Sequence, residues 1–256
     1  MQPDKLAEKL MQARLDRTKI ALTASERPDT WQEARATADL ACLGEPHAWK
    51  LGGTTQPVRD IFGISVPFYG PIGGHELFEN GDPVSLPPLP DPVVEPEIAV
   101  RLSRDVEPRR TQRSDAQVLT YIDAVAPALD IAAVALQNPA EEGVLSLIAD
   151  RAGAGLILVG NWHHVDALSR LRNQSVRLLL NGSERSSGGE PALIGGVLGA
   201  LRDFFAEAAR ENRTLTEGDI VATGGLAPAI PLGKSKNVTA AFDGWDDAYF
   251  ELVHGR

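Results

Sequence analysis

VVEPEIAV, residues 93–100, decides how this chain is read. It is an apolar strand broken by Glu95-Pro96-Glu97. In a strand, residues i and i+2 point to the same face, so Glu95 and Glu97 project side by side. Two like charges on one half-buried face repel, and each loses hydration. A cation between them removes both penalties, and hard divalent ions such as Mg2+ favour carboxylate oxygens. A second reading stands beside this one: a solvated edge strand whose hydrogen-bond ladder Pro96 interrupts.

Three other positions bear on that choice. Lys50 lies in WKLGGTT (49–55), a short strand running into a glycine turn. A lysine facing a cavity there is a candidate acid or base, and one snorkelling to the surface is not. Asp130 lies in VAPALDIAAVAL (125–136), read as a buried strand. A buried aspartate needs a hydrogen-bonding partner or a cation, and with Glu95 and Glu97 it would complete a three-carboxylate set. Thr223-Gly224-Gly225 ends the strand DIVATGG (219–225). Its amides and the threonine hydroxyl make either a small anion cradle or an ordinary turn.

Working outward, residues 4–18 read as an amphipathic helix, and Asp29-Thr30 caps a second over 31–43. Residues 60–92 are rich in Gly and Pro and are predicted as one long irregular segment, of the kind that forms lids or binding loops. Strand 93–100 continues to 106, Ser114 caps a helix over 115–123, and 144–150 form a short helical turn. GLILVGNW (155–162) is a buried strand. VRLLLNGSE (176–184) is a strand turning at Asn181-Gly182, followed by a flexible SSGGE loop. Residues 191–212 read as the clearest helix, with Pro191 in its first turn and an apolar stripe from Leu193 to Ala208. Two closing strands meet at Asp243-Gly244. Helices first, then mostly strands around one long helix, give an α+β fold with a mixed sheet. Residues 1–48 form a helical segment and 49–256 the catalytic domain, joined in one unit.

The remaining candidates are weaker. His75-Glu76 is a lid dyad or a surface loop; His163-His164 reads as solvent-exposed; Cys42 reads as core. Gly195, Gly196 and Gly199 fall inside the predicted helix, away from any strand-to-helix turn, so they are no phosphate-binding fingerprint. The 256 residues carry a net charge of −10, which argues against nucleic acid or anionic membrane as partner. The single cysteine excludes an internal disulfide and fits a reducing cytoplasm. The N-terminal MQPDKLAEKLMQAR lacks the apolar core of a signal peptide, no apolar run is long enough to span a membrane, and no Cys/His zinc spacing occurs.

In order and spacing, AWKLGGTT (48–55), VPFYGPI (66–72), VEPEIAVRLSRDV (94–106), VAPALDIA (125–132), IADRAGAGLILVG (148–160), the LLLNG hairpin and GDIVATGGLAPAIPLGKSKNVTAAF (218–242) carry a resemblance. Together they resemble the fumarylacetoacetate hydrolase superfamily, on its 2-keto-4-pentenoate hydratase branch, which includes 4-oxalocrotonate decarboxylases. The resemblance implies a mixed β-roll with N-terminal helices and a homo-oligomer, with association to a downstream aldolase or dehydrogenase as a further expectation. It also implies Mg2+ or Mn2+ held by Glu95, Glu97 and Asp130 and chelated by a small 2-keto acid. Lys50 matches the active-site lysine; Thr223, Gly224, Phe68 and Gly70 match the substrate side.

This chain departs from the branch in four places. The third ligand is Asp130 in place of the usual Glu, and Ile131-Ala132-Ala133-Val134 replaces an Asp-Ser-Arg element. Arg151 stands where Asn is common, and Gly225 replaces a small hydroxyl residue. The expectation is a cytoplasmic metal-dependent lyase hydrating a 2-hydroxypenta-2,4-dienoate-type acid. Its rivals are decarboxylation of a 2-oxo-hexenedioate-type acid, hydrolysis of an acylpyruvate C–C bond with His75-Glu76 as base, and a non-catalytic partner subunit.

Overall fold

The computed structural model describes residues 1–86, 91–109, 111–171 and 174–253. Two helices open the chain, α1 (Pro3–Leu15) and α2 (Trp31–Ala41). Thr30 caps α2 by accepting a hydrogen bond from the Glu33 amide, which satisfies one of the donors that a helix start leaves free. Next come β1 (Pro46–Gly52), α3 (Gln56–Phe62), β2 (Phe68–Gly73), β3 (Leu77–Glu79) and β4 (Pro83–Val84). The stretch predicted as irregular is therefore ordered as short elements separated by glycine turns. The fully buried run FYGPIG of β2 carries too few residues for its period to show in sequence. Of that stretch, residues 87–90 lie outside the described residues.

The chain continues through β5 (Val93–Leu102), α4 (Asp115–Leu119), β6 (Ile122–Ala132), α5 (Pro139–Glu142), α6 (Val144–Ala149) and β7 (Leu156–Val159). Then follow β8 (His163–His164), α7 (Leu168–Leu171), β9 (Ser175–Leu180) and β10 (Ser183–Gly189). SSGGE was expected to be a flexible loop, yet most of it completes β10, paired to β9 and turned at Asn181-Gly182. Its polar composition reflects an edge position with little to bury. Helix α8 (Gly196–Arg210) starts later than the predicted Pro191. Pro191 lies in a separate 3-10 turn, and Gly195, at φ 72, breaks the path between them. Gly195 is thus the residue before the helix, a correction to its placement inside one. The chain closes with β11 (Ile220–Ala222), β12 (Ile230–Pro231), β13 (Asn237–Phe242) and β14 (Ala248–Leu252).

Among the described residues, two mixed sheets form. The larger runs β2-β1-β11-β5-β6-β7-β3, with β12 added to β5 and β8 to β6; the smaller runs β10-β9-β13-β14-β4. β5 pairs with β6 from Val93 to Leu102, so it is central, and the edge-strand reading of VVEPEIAV is excluded. Pro96 is tolerated because its flank lies between the short pairings to β12 and β11, where the Leu226 amide instead donates to the Pro96 carbonyl. Even-numbered β5 residues Val94, Ile98 and Val100 enter the main core with Leu178, Val238, Phe250 and α8 residues Leu201 and Phe204. The odd-numbered ones, Glu95, Glu97 and Ala99, face the other side. The N-terminal helices share a second core with α6: Leu6 and Leu10 pack with Leu147, Ile148 and Phe68. Arg14 of α1 ties that layer to the end of β6, donating to Asp150 Oδ1 at 2.8 Å and to the Ala133 and Ala154 carbonyls.

Candidate metal centre

Strand register assembles the site. Lys50 on β1 is opposite Gly70 on β2 and Ala222 on β11, and Ala222 is opposite Ala99 on β5. Glu95 is opposite Asp130, and Glu97 opposite Ala128. Residues paired across strands share a face. Lys50, Glu95, Glu97 and Asp130 therefore all project to one side of the larger sheet. Beyond them on that side lies a buried layer of small side chains that includes Ala48, Ala99, Ala126 and Ala222.

One oxygen from each of Glu95, Glu97 and Asp130 lies within 4.8 Å of the others. Lys50 Nζ is 2.7 Å from Asp130 Oδ2. Asp130 is 0% exposed, Glu97 1% and Lys50 4%, whereas Glu95 is half-buried and marks the side open to solvent. Lys50 is the ion-pairing and hydrogen-bonding partner of Asp130, and among the described residues no other group bonds either Asp130 oxygen.

The protonation of the cluster follows. Burial and the Asp130 charge push the Glu95 carboxyl up to about 7. Burial, then Asp130 and Glu95, hold Glu97 well above the ordinary range. Burial raises Asp130 as well, against the pull of Lys50. Burial opposes the charge on Lys50, but Asp130, Glu95 and Glu97 outweigh it and its pKa is raised. Three carboxylates and one ammonium sum to −2 when all are charged. A divalent cation cancels that sum, and three oxygen donors with no nitrogen or sulfur suit a hard ion. The residues fit such a group.

The other predicted residues divide. The Gly224 amide donates to Glu97 Oε2 at 2.9 Å, so it orients a carboxylate of the cluster where an anion cradle was expected. The Thr223 hydroxyl donates to the Ile98 carbonyl at 3.0 Å, so the donor expected for an anion is engaged in holding the turn to β5. Gly224, at φ 105, lies so close to Thr54 that a Cβ would overlap its Oγ1. Gly225 leaves room for Glu95: a Cβ there would stand 2.7 Å from Oε1. Gly70 leaves room for the Arg151 carbonyl, and the Phe68 ring lies against Gly52 and Gly53.

His75-Glu76 is not a lid dyad. Glu76 is buried, accepts from Arg151 Nη1 and Nη2 at 2.7 and 2.8 Å and from the Gly73 amide, and is held below the usual carboxylate range despite burial. His75 is exposed. His164 is exposed as expected, but His163 is half-buried against Trp245, with Nε2 3.5 Å from Asp246. Cys42 is buried. Two features escaped the sequence reading. Thr54, 3% exposed, packs over Gly224, and its only signal was adjacency to Gly52-Gly53. The Arg151–Glu76 pair joins residues 75 positions apart, and no local pattern marks it.

Three carboxylates and one lysine thus meet on one face of a mixed sheet, a donor set that could hold a divalent metal ion. The Fumarylacetoacetate (FAA) hydrolase C-terminal family matches residues 46–244, and the chain belongs to that family. Among curated relatives, the chain is 29% identical over 183 residues to the TodF product hydratase of Pseudomonas putida, covering 72% of this chain and 67% of that one. It is 26% identical over 186 residues to a 4-oxalocrotonate decarboxylase of Pseudomonas sp., covering 72% and 69%. Its fold superposes on 4-oxalocrotonate decarboxylase from Pseudomonas putida G7, complexed with magnesium and adipate. That match has a TM-score of 0.88 and 21% identity, and covers 98% of this chain and 97% of that one. Among the described residues, no helix is long and apolar enough to cross a membrane.

Proposed function

We propose that this chain is a lyase that hydrates a small unsaturated 2-keto acid of the 2-hydroxypenta-2,4-dienoate type, with Mg2+ or Mn2+ at Glu95, Glu97 and Asp130. The observation that carries this reading is the convergence of those three carboxylates beside Lys50 on one buried face. When bound, the cation supplies Lewis-acid polarisation of the 2-keto group.

The rest falls to the chain. Glu97 is oriented by the Gly224 amide, and Glu95 has the space that Gly225 leaves. Lys50 holds its proton at Nζ, because the surrounding carboxylates outweigh burial. Its ammonium is the proton donor for ketonisation of the dienol, a role open to a lysine fixed by an acidic partner. The amine left behind takes the proton of the 2-hydroxyl, which restores the ammonium; water then adds its hydroxyl to C4 of the resulting 2-oxo-3-enoate and its proton to C3. The apolar layer behind the cluster keeps bulk water from that side.

The hydratase relative supports this reaction over the acylpyruvate hydrolase, whose proposed His75-Glu76 base has Glu76 held in an ion pair with Arg151. A cytoplasmic setting and a homo-oligomeric assembly, with a partner aldolase or dehydrogenase, complete the proposal. The test is incubation of Mg2+-loaded protein with 2-hydroxypenta-2,4-dienoate. Loss of the dienol absorbance with formation of the 4-hydroxy-2-oxo acid is expected. CO2 release from a dicarboxylic 2-oxo acid, with no hydration of the dienoate, would move the chain to the decarboxylases.

A further inference from the structure

Residues 150–154, between α6 and β7, form a turn in which Asp150, Arg151, Ala152 and Ala154 are all buried. Arg151, Ala152 and Gly153 have φ of 52, 56 and 72. Left-handed geometry crowds the Cβ of Arg151 and of Ala152 against the following carbonyl. Among the described residues, these two are the one adjacent pair of non-glycine residues held this way. Such strain persists only where the surrounding structure over-determines it.

The turn lies on the face that carries the cluster. Gly70 is opposite Lys50, so a Cβ on Gly70 would point to that face. It would overlap the Arg151 carbonyl and stand 3.0 Å from the Ala152 methyl. Ala154, next in the chain, packs with Ala48 of β1 and Ile72 of β2. From this place the turn is fastened in two directions. Toward β2, Arg151 Nη1 and Nη2 donate to Glu76 at 2.7 and 2.8 Å, and Glu76 also accepts from the Gly73 amide that ends β2. Toward β6, the Ala133 amide donates to the Gly153 carbonyl at 2.9 Å, and the Ala135 amide to Asp150 Oδ2 at 2.7 Å. In the larger sheet β1, β11 and β5 lie between β2 and β6, yet this one turn holds both.

Lys50 therefore has unequal neighbours. On the β2 side, the space above Gly70 is filled by the Arg151 carbonyl and the Ala152 methyl. On the β11 side stands only the methyl of Ala222. A lysine ammonium sits on a flexible four-carbon stem and can reach many positions. Here one side is walled off, and Nζ extends the other way to Asp130.

We propose that the Arg151–Glu76 pair is a positioning device for Lys50: it holds the left-handed turn down on Gly70 and so aims the ammonium across the sheet. The inference rests on the proton-donor role given to Lys50 above. It divides the site in two. The carboxylates take the cation without the clamp, and proton delivery depends on it.

The test compares wild type with two variants. Arg151→Lys keeps a charge on Glu76 but not the two-pronged contact. Arg151→Met/Glu76→Gln removes both charges together, which spares the fold the cost of a stranded one. For each, kcat and KM on 2-hydroxypenta-2,4-dienoate are measured with Mg2+, along with Tm and calorimetric binding of oxalate, at a temperature where the protein is folded. In both variants kcat is expected to fall on the order of tenfold to a hundredfold, the cost of a misplaced proton donor. KM and oxalate affinity are expected to stay within about twofold of wild type, because the lost interaction serves the reaction and not binding. Val238→Ala, in the main core, is the destabilised control, expected to lower Tm without lowering kcat. Wild-type kcat in either folded variant overturns the clamp alone. A matching loss of kcat in Val238→Ala, or a fall in oxalate affinity as large as the fall in kcat, overturns it too. Wild-type protein that turns over no dienoate overturns the proposed reaction and this inference with it.

Discussion

Lys50→Met isolates the role of charge in the cluster. Lys50 Nζ lies 2.7 Å from Asp130 Oδ2, and Asp130 is 0% exposed, with no other hydrogen-bond partner among the described residues. Removing one partner of a buried pair strands the other, at about 3–5 kcal/mol. Proton uptake by Asp130, already raised by burial, limits the loss near neutrality, so about 3 kcal/mol is expected at pH 8. For a chain of this length that corresponds to a fall in Tm of roughly 6–12 °C. Mg2+ should reverse most of it, because the cation neutralises the same carboxylate without competition from the ammonium. The assay is thermal unfolding of wild type and variant, each with and without Mg2+. Unchanged Tm in the metal-free variant would refute the claim that Lys50 neutralises Asp130. A loss that Mg2+ does not restore would refute the claim that Asp130 serves both cations.

Other consequences follow from the same geometry. Glu95 is pushed up to about 7, so it must lose a proton to take a cation. Mg2+ affinity, measured by titration, should therefore fall as pH drops below about 7, with proton release on binding; a flat profile from pH 6 to 8 would count against it. The same shift has a stability sign: a carboxyl raised in the folded state stabilises below its unfolded pKa and loses that contribution as pH rises through about 7. Metal-free protein should thus lose Tm between pH 6 and 8. Gly225→Ala sets a Cβ 2.7 Å from Glu95 Oε1 and should weaken Mg2+ binding by about tenfold with little change in metal-free Tm. Arg151→Met should destabilise by about 3–5 kcal/mol in denaturant unfolding, because Glu76 is left buried and unpaired. Glu76→Gln in that background should recover part of the loss.

The three carboxylates proposed as metal ligands were readable in sequence because their signals are local. Strand parity places Glu95 and Glu97 together, and one acid in the apolar run around Asp130 is unusual wherever it folds. Lys50 stood out for the same reason. What joins them was hidden. The Lys50–Asp130 contact needs β11 inserted between β1 and β5, a topology that no spacing reveals. The Gly224 amide looked like an anion donor because Glu97, 127 residues away, could not be placed beside it. Composition misled at β10, whose serines and glycines occupy an edge, and at Pro191, where proline starts a separate turn and Gly195 delays the helix. The FYGPIG strand was invisible for the opposite reason: its glycines are required by close backbone neighbours such as the Arg151 carbonyl against Gly70, not by loop geometry.

The account rests on one cation at Glu95, Glu97 and Asp130, and a crystal structure of Mn2+-soaked protein tests it most directly. The account predicts a single anomalous peak on this face, with an oxygen of each carboxylate about 2.0–2.3 Å from the metal. It predicts Lys50 Nζ beside the site but not bonded to the ion. A peak elsewhere, or no peak with Lys50 still paired to Asp130, would contradict it.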